Sequence, residues 1–167
     1  MKDITTKLVK RHKTNCPFTI ARELNINISF EDLGDDTRGF YYKVLRRRYI
    51  CIHKDLSDEW KRFVCAHELA HAVIHKGVGQ FFVDKHSFFL PGKLERQANE
   101  FAVKLLLHGV TLDENDTVAS LLARKGIPYE MKDYIGGALI KWQTMNLEGK
   151  TRGGLLSALA KGRTEKK

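Results

Sequence analysis

The spacing of apolar positions changes period several times along the chain. Residues 3–13 and the stretch CPFTIARELNI (16–26) suit two helices, the second beginning on Pro17, whose missing N–H costs nothing in a first turn. INISFEDL (26–33) then alternates apolar and polar side chains, and Gly34-Asp35-Asp36 marks a turn. GFYYKVLRRRYICIHKDL (39–56) holds enough β-branched and aromatic residues for two strands, with Ile50 and Ile52 on one face and Cys51 and His53 on the other. A small antiparallel sheet behind a helical N-terminal cap is the expectation.

The helical period returns at Ser57, a good N-cap, followed by Asp58 and Glu59 at the positive end of the helix dipole. Trp60, Phe63, Val64, Val73 and Ile74 carry that helix over 58–76, up to Gly77. GVGQFFVDKHSFFLPG (77–92) reads as extended chain between glycines, with 80–90 a candidate edge strand. LERQANEFAVKLLLH (94–108) puts Leu94, Ala98, Phe101, Ala102, Leu105 and Leu106 on one stripe, the mark of an amphipathic helix. Two shorter helices follow over 116–126 and 130–143, separated by Ile127-Pro128, and Leu155, Leu156 and Leu159 suit a short docking helix. The predicted fold class is α+β, a small antiparallel sheet packed on helix 58–76 and on helix 94–108. Its organisation reads as a domain over 1–112 that includes the N-terminal cap, a helical subdomain over 113–147 and a basic tail over 148–167.

Composition narrows the setting. A chain of 167 residues can bury a core that needs no staple. Cys16, Cys51 and Cys65 are odd in number, far apart and without a CxxC pair, which argues against a disulfide framework or a cysteine zinc site. No run of apolar residues reaches signal-peptide or membrane-span length, so a cytoplasmic protein is expected. The net charge of +9 is concentrated in residues 150–167, where six basic residues face Glu165 alone, and a second basic run is Arg46-Arg47-Arg48. Such runs are commonly solvated faces; a weak, non-specific contact of the tail with DNA is the functional alternative.

The chemistry lies in CAHELAHAVIHKG (65–77). His67 and His71, four residues apart, fall on one helical face and can aim at a single ion. Glu68 projects about 100° further round, within reach of a water on that ion, which is the HExxH arrangement of zinc hydrolases. Ile74 and Gly77 exclude the longer HExxHxxGxxH pattern. His75 drifts off the shared face and reads as a packing or supporting residue. For the third ligand Glu95 is favoured over Glu100, because Ala98 and Ala102 on its face let this helix approach the first closely; Asp84 and His86 are weaker loop alternatives. Asn99, one turn beyond Glu95, is placed to accept an imidazole N–H and fix its tautomer.

HELAHAVIH (67–75) followed by ERQANEFAVKLLL (95–107) resembles the ImmA/IrrE family of small bacterial and phage metallopeptidases, over roughly residues 20–110. The resemblance implies a thermolysin-like site with one zinc ion on His67, His71 and Glu95 and with Glu68 as catalytic base. It also implies a cytoplasmic peptidase whose partner and substrate is a protein, commonly a helix-turn-helix repressor of a prophage or mobile element. The residue stabilising the oxyanion stays open among Tyr41, Tyr42, Tyr49, Tyr129 and Tyr134. Two other classes compete: an anti-repressor that keeps a structural zinc and acts by contact alone, and a DNA-binding regulator using the helix pair over 116–143.

Overall fold

A computed structural model describes the protein over residues 4–75, 92–111 and 116–135. Helix α1 (Ile4–His12) leads into α2 (Pro17–Glu23), which starts on Pro17 as expected. It stops short of residue 26 because Asn25 takes a left-handed backbone with φ 56°. Strands β1 (Ile26–Glu31), β2 (Gly39–Val44) and β3 (Arg47–His53) follow.

The sheet has the order β1-β3-β2, and it is mixed where an antiparallel one was expected. β2 and β3 form the antiparallel hairpin, Tyr41 opposite Ile50, while β1 runs parallel to β3, Ile28 opposite Ile50. Burial explains the order. Ile50, Cys51 and Ile52 are the buried run of the sheet, so β3 takes the centre, whereas Lys43 and Val44 leave β2 suited to an edge. Apolar alternation reveals which strand is buried on one face, but not which strands become its neighbours.

Ser57 caps α3 (Asp58–Ile74), its hydroxyl accepting from the Trp60 N–H at 3.3 Å. Every residue from Phe63 to Ala72 is buried, because the sheet covers one side of the helix and α4 (Lys93–Leu106) another. Ala98 and Ala102 of α4 are fully buried, and their small side chains permit this close approach. α5 (Val118–Lys125) has a capping box between Thr117 and Ser120 and ends on left-handed Gly126. Of the helix expected over 130–143, residues Tyr129–Tyr134 form a 3-10 helix instead, and the rest lies outside the described residues. Residues 77–91, with the candidate strand 80–90, Asp84 and His86, also lie outside them, as do the leucines of 155–159 and the basic tail.

Residues 1–134 make one compact unit and 135–167 a second, of which only Ile135 is described. The three cysteines are unpaired. Among the described residues no helix is long and apolar enough to cross a membrane.

Candidate metal centre

The middle of α3 and the first turns of α4 bring three ligand-type side chains together. His67 Nε2 lies 3.1 Å from His71 Nε2 and 3.1 Å from Glu95 Oε2, and His71 Nε2 lies 3.4 Å from Glu95 Oε1. One ligand atom from each of the three falls within 4.8 Å of the others, and all three residues are buried. Ligands bonded at about 2.0–2.1 Å in a tetrahedron stand about 3.3 Å apart, the separation seen here.

The surrounding hydrogen bonds decide which ring nitrogens face inward. Asn99 Oδ1 lies 2.8 Å from His67 Nδ1 and accepts its N–H, leaving the Nε2 lone pair for the centre. On the other side a chain of three groups does the same for His71. Its Nδ1–H donates to His75 Nδ1 at 3.0 Å, and His75 Nε2–H donates to Gln97 Oε1 at 3.2 Å. Both inward nitrogens then carry lone pairs. Beside them the two buried Glu95 oxygens accept no hydrogen bond. Two lone pairs and an orphaned carboxylate converging in a buried space lack only a cation, so the donor set fits a divalent metal ion.

Glu68 is 3% exposed and faces a different partner. The backbone N–H of Tyr41, in β2, acts on its carboxylate. Burial raises its pKa, with the Glu95 charge adding to the rise and the two histidines and the Tyr41 N–H opposing it. A carboxylate so placed is a stronger proton acceptor than an exposed one. The strand comes this close because Gly39 has no side chain: a Cβ there would lie 2.4 Å from Val64 Cγ1.

The alternatives separate by position. Glu100 pairs with Arg96 at 3.1 Å on the outer side of α4, away from the histidines. His75 is not part of the three-residue group and instead supports His71. Tyr42 and Tyr49 stack at 4.9 Å on the sheet face opposite the one carrying Gly39 and Tyr41, the face packed on α3. Gln97 and the Tyr41 main chain carry roles that the sequence reading misses. Gln97 lies off the Glu95–Asn99 face, and a backbone donor leaves no trace in residue identity.

Comparison with known proteins gives the family. The chain is 33% identical over 135 residues, 78% of its own length and 85% of the relative's, to "Uncharacterized immunity region protein 2" of Bacillus phage phi105. It is 35% identical over 107 residues to "Metallopeptidase ImmA" of Bacillus subtilis (strain 168), covering 64% of this chain and 63% of that one. No solved structure gives a significant match. Residues 21–131, which contain both α3 and α4, match the model of a peptidase family, and the chain belongs to that family, Peptidase_M78, the IrrE N-terminal-like domain.

Proposed function

We propose that the chain is a zinc-dependent endopeptidase that cleaves a specific protein, a helix-turn-helix repressor of a phage or mobile element. The observation that carries this reading is the inward pairing of two imidazole lone pairs with an orphaned Glu95 carboxylate beside buried Glu68. Family membership supports peptide hydrolysis, and the relative in a phage immunity region supports a repressor as substrate.

His67, His71 and Glu95 would hold the ion. Zinc, when bound, supplies the Lewis acidity that activates water and polarises a peptide carbonyl. The residues of the chain do the rest. Glu68 accepts the proton of the attacking water and delivers it to the leaving nitrogen. Asn99 holds His67 in one tautomer, and the His75–Gln97 pair holds His71, so neither ring turns its N–H inward. Gly39, Tyr41 and Lys43 alternate with residues paired to β3, so their main-chain groups face the edge of β2 that pairs with no described strand, where an extended substrate can add alongside Glu68.

The test uses the purified protein and the helix-turn-helix repressor encoded nearest to it. Zinc-loaded wild type should cut the repressor into fragments that mass spectrometry assigns, and Glu68→Gln should retain zinc and leave the repressor intact. Cleavage by Glu68→Gln at the wild-type rate would sink the role given to Glu68. A repressor disabled by both proteins without being cut would favour the anti-repressor that acts by contact alone. The DNA-binding reading asks for a second helix over 130–143, and the described part of it, Tyr129–Tyr134, is a 3-10 helix.

A further inference from the structure

The sheet has a second open edge, on the side away from β2. β1 pairs only with β3 among the described strands, so one row of its main-chain groups has no strand partner. A groove of about 710 Å³ runs along it. Ile26, Ile28 and Phe30 line the groove from one face of the sheet, while Asn27 and Tyr49 line it from the other. Residues of both faces meet only at a strand's margin, so the groove follows the edge of β1 itself.

Its rim is basic and unbalanced. Arg22 comes from α2, Arg46 from the turn between β2 and β3, and Arg47 is the first residue of β3; all three are exposed. None of the described lining residues is acidic, and none of these three arginines pairs with a carboxylate among the described residues. Apolar surface accompanies the charge. Phe30 is 49% exposed, and Leu45, beside Arg46, is 91% exposed at a φ of 55°. A leucine is strained in that left-handed backbone, where glycine or asparagine is the ordinary choice, and it gains no burial in return.

We propose that this groove docks an extended acidic segment of a protein partner, which adds to β1 as a further strand. Main-chain hydrogen bonds to the edge would give affinity, the arginines would take carboxylates in bidentate pairs, and Ile28 and Phe30 would receive alternate apolar side chains. The assignment of that partner as the peptidase substrate, gripped at a second place on the opposite edge from Glu68, rests on the function proposed above. The chain's own C-terminal segment does not suit the groove, since residues 150–167 carry six basic residues and one acidic. A second copy would set the same arginines against each other across a two-fold axis. Single-stranded nucleic acid would satisfy the arginines but has no use for the strand edge.

The experiment uses full-length Glu68→Gln, which cannot cut a probe, and labelled peptides of alternating Glu and Val or of alternating Lys and Val, with an oligo-deoxythymidine as third probe. Fluorescence anisotropy should show the Glu-Val peptide binding at least about tenfold more tightly than the Lys-Val peptide, and the double charge reversal Arg46→Glu, Arg47→Glu should weaken it about tenfold or more. Both arginines are exposed, so the variant should fold as the parent does. Hydrogen exchange should slow at the amides of residues 26–31 when the Glu-Val peptide is bound. Equal binding of the two peptides, binding that survives the charge reversal, or unchanged exchange at β1 would each overturn the proposal. Tighter binding of the oligonucleotide, abolished by the same reversal, would overturn it in favour of nucleic acid. These readouts need no catalysis. A chain that binds the acidic peptide but cuts no protein would remove the peptidase reading and leave the docking surface standing.

Discussion

Gly39 and Val64 are in contact closer than any side chain on residue 39 would permit. A Cβ on Gly39 would lie 2.4 Å from Val64 Cγ1 and 2.8 Å from the Cys51 carbonyl oxygen. One helical turn beyond Val64 stands Glu68, and two residues beyond Gly39 stands Tyr41, whose backbone N–H acts on the Glu68 carboxylate. The strand therefore reaches the proposed base because its first residue has no side chain.

Gly39→Ala should accordingly act on both fold and site. Neither Val64, fully buried, nor the central-strand carbonyl can move aside cheaply, so overpacking should cost about 1–3 kcal/mol. The denaturation midpoint reports that cost. Proteolysis should fall further than the loss of folded protein accounts for, since β2 is displaced from Glu68. A variant as stable and as active as wild type would show that β2 has slack at this contact.

Metal content tests the centre without knowledge of the substrate. Protein supplied with zinc should hold about one ion per chain by elemental analysis, and Glu95→Ala should lose most of it. Because the ligands converge only in the folded chain, zinc should also stabilise it, by about 2.7 kcal/mol at a free concentration of about 100 times Kd. Chelation should reverse the shift. An unchanged melting temperature with and without zinc, together with no retained metal, would remove the assignment of His67, His71 and Glu95 as ligands.

Asn99 is fully buried and meets the centre through His67. Asn99→Ala leaves His67 Nδ1–H without its acceptor and frees the ring to change tautomer or turn. Loss of such a partner costs about 10–100-fold in metal affinity. Asn99→Asp keeps the acceptor oxygen and should recover much of it, whereas a merely structural role would be served no better by aspartate than by alanine. Competition against a chromophoric chelator separates the two variants.

Much of this centre is legible in the amino-acid sequence. Ser57, Asp58 and Glu59 announce the start of α3, the four-residue step from His67 to His71 puts both rings on one face, and Ala98 and Ala102 single out the side of α4 that carries Glu95. These signals are local, so they survive whatever the rest of the chain does. Strand order is not local. Ile26, Ile28, Ile50 and Ile52 alternate equally well in a meander and in the observed order, and only competition for the buried centre of the sheet separates the two. The same limit hides Gly39 and Tyr41: one matters through the space it leaves and the other through its main chain. Past Pro128 the apolar pattern suits a helix, yet the backbone of Tyr129–Tyr134 winds more tightly.

The cysteines offer a last prediction, with a sign fixed by their surroundings. Cys65 is fully buried in α3, and burial pushes its thiol well up, with nearby Cys16 and Glu68 adding to the rise. Cys16 sits at the N-cap of α2, half-buried; burial alone would raise its pKa, but the polar groups of Thr19 and the Phe18 main chain, with the charge of Arg62, outweigh that and lower it. Only the thiolate reacts with iodoacetamide, so a lowered pKa extends reactivity towards lower pH and a raised one suppresses it. In the folded protein Cys16 should alkylate first, at a pH where a free cysteine is still largely protonated, while Cys65 should react only after denaturant is added. Peptide mapping after timed labelling distinguishes the sites. Early modification of Cys65 in native buffer would mean that α3 opens beneath the sheet, and a rigid placement of His67 and Glu68 could not stand.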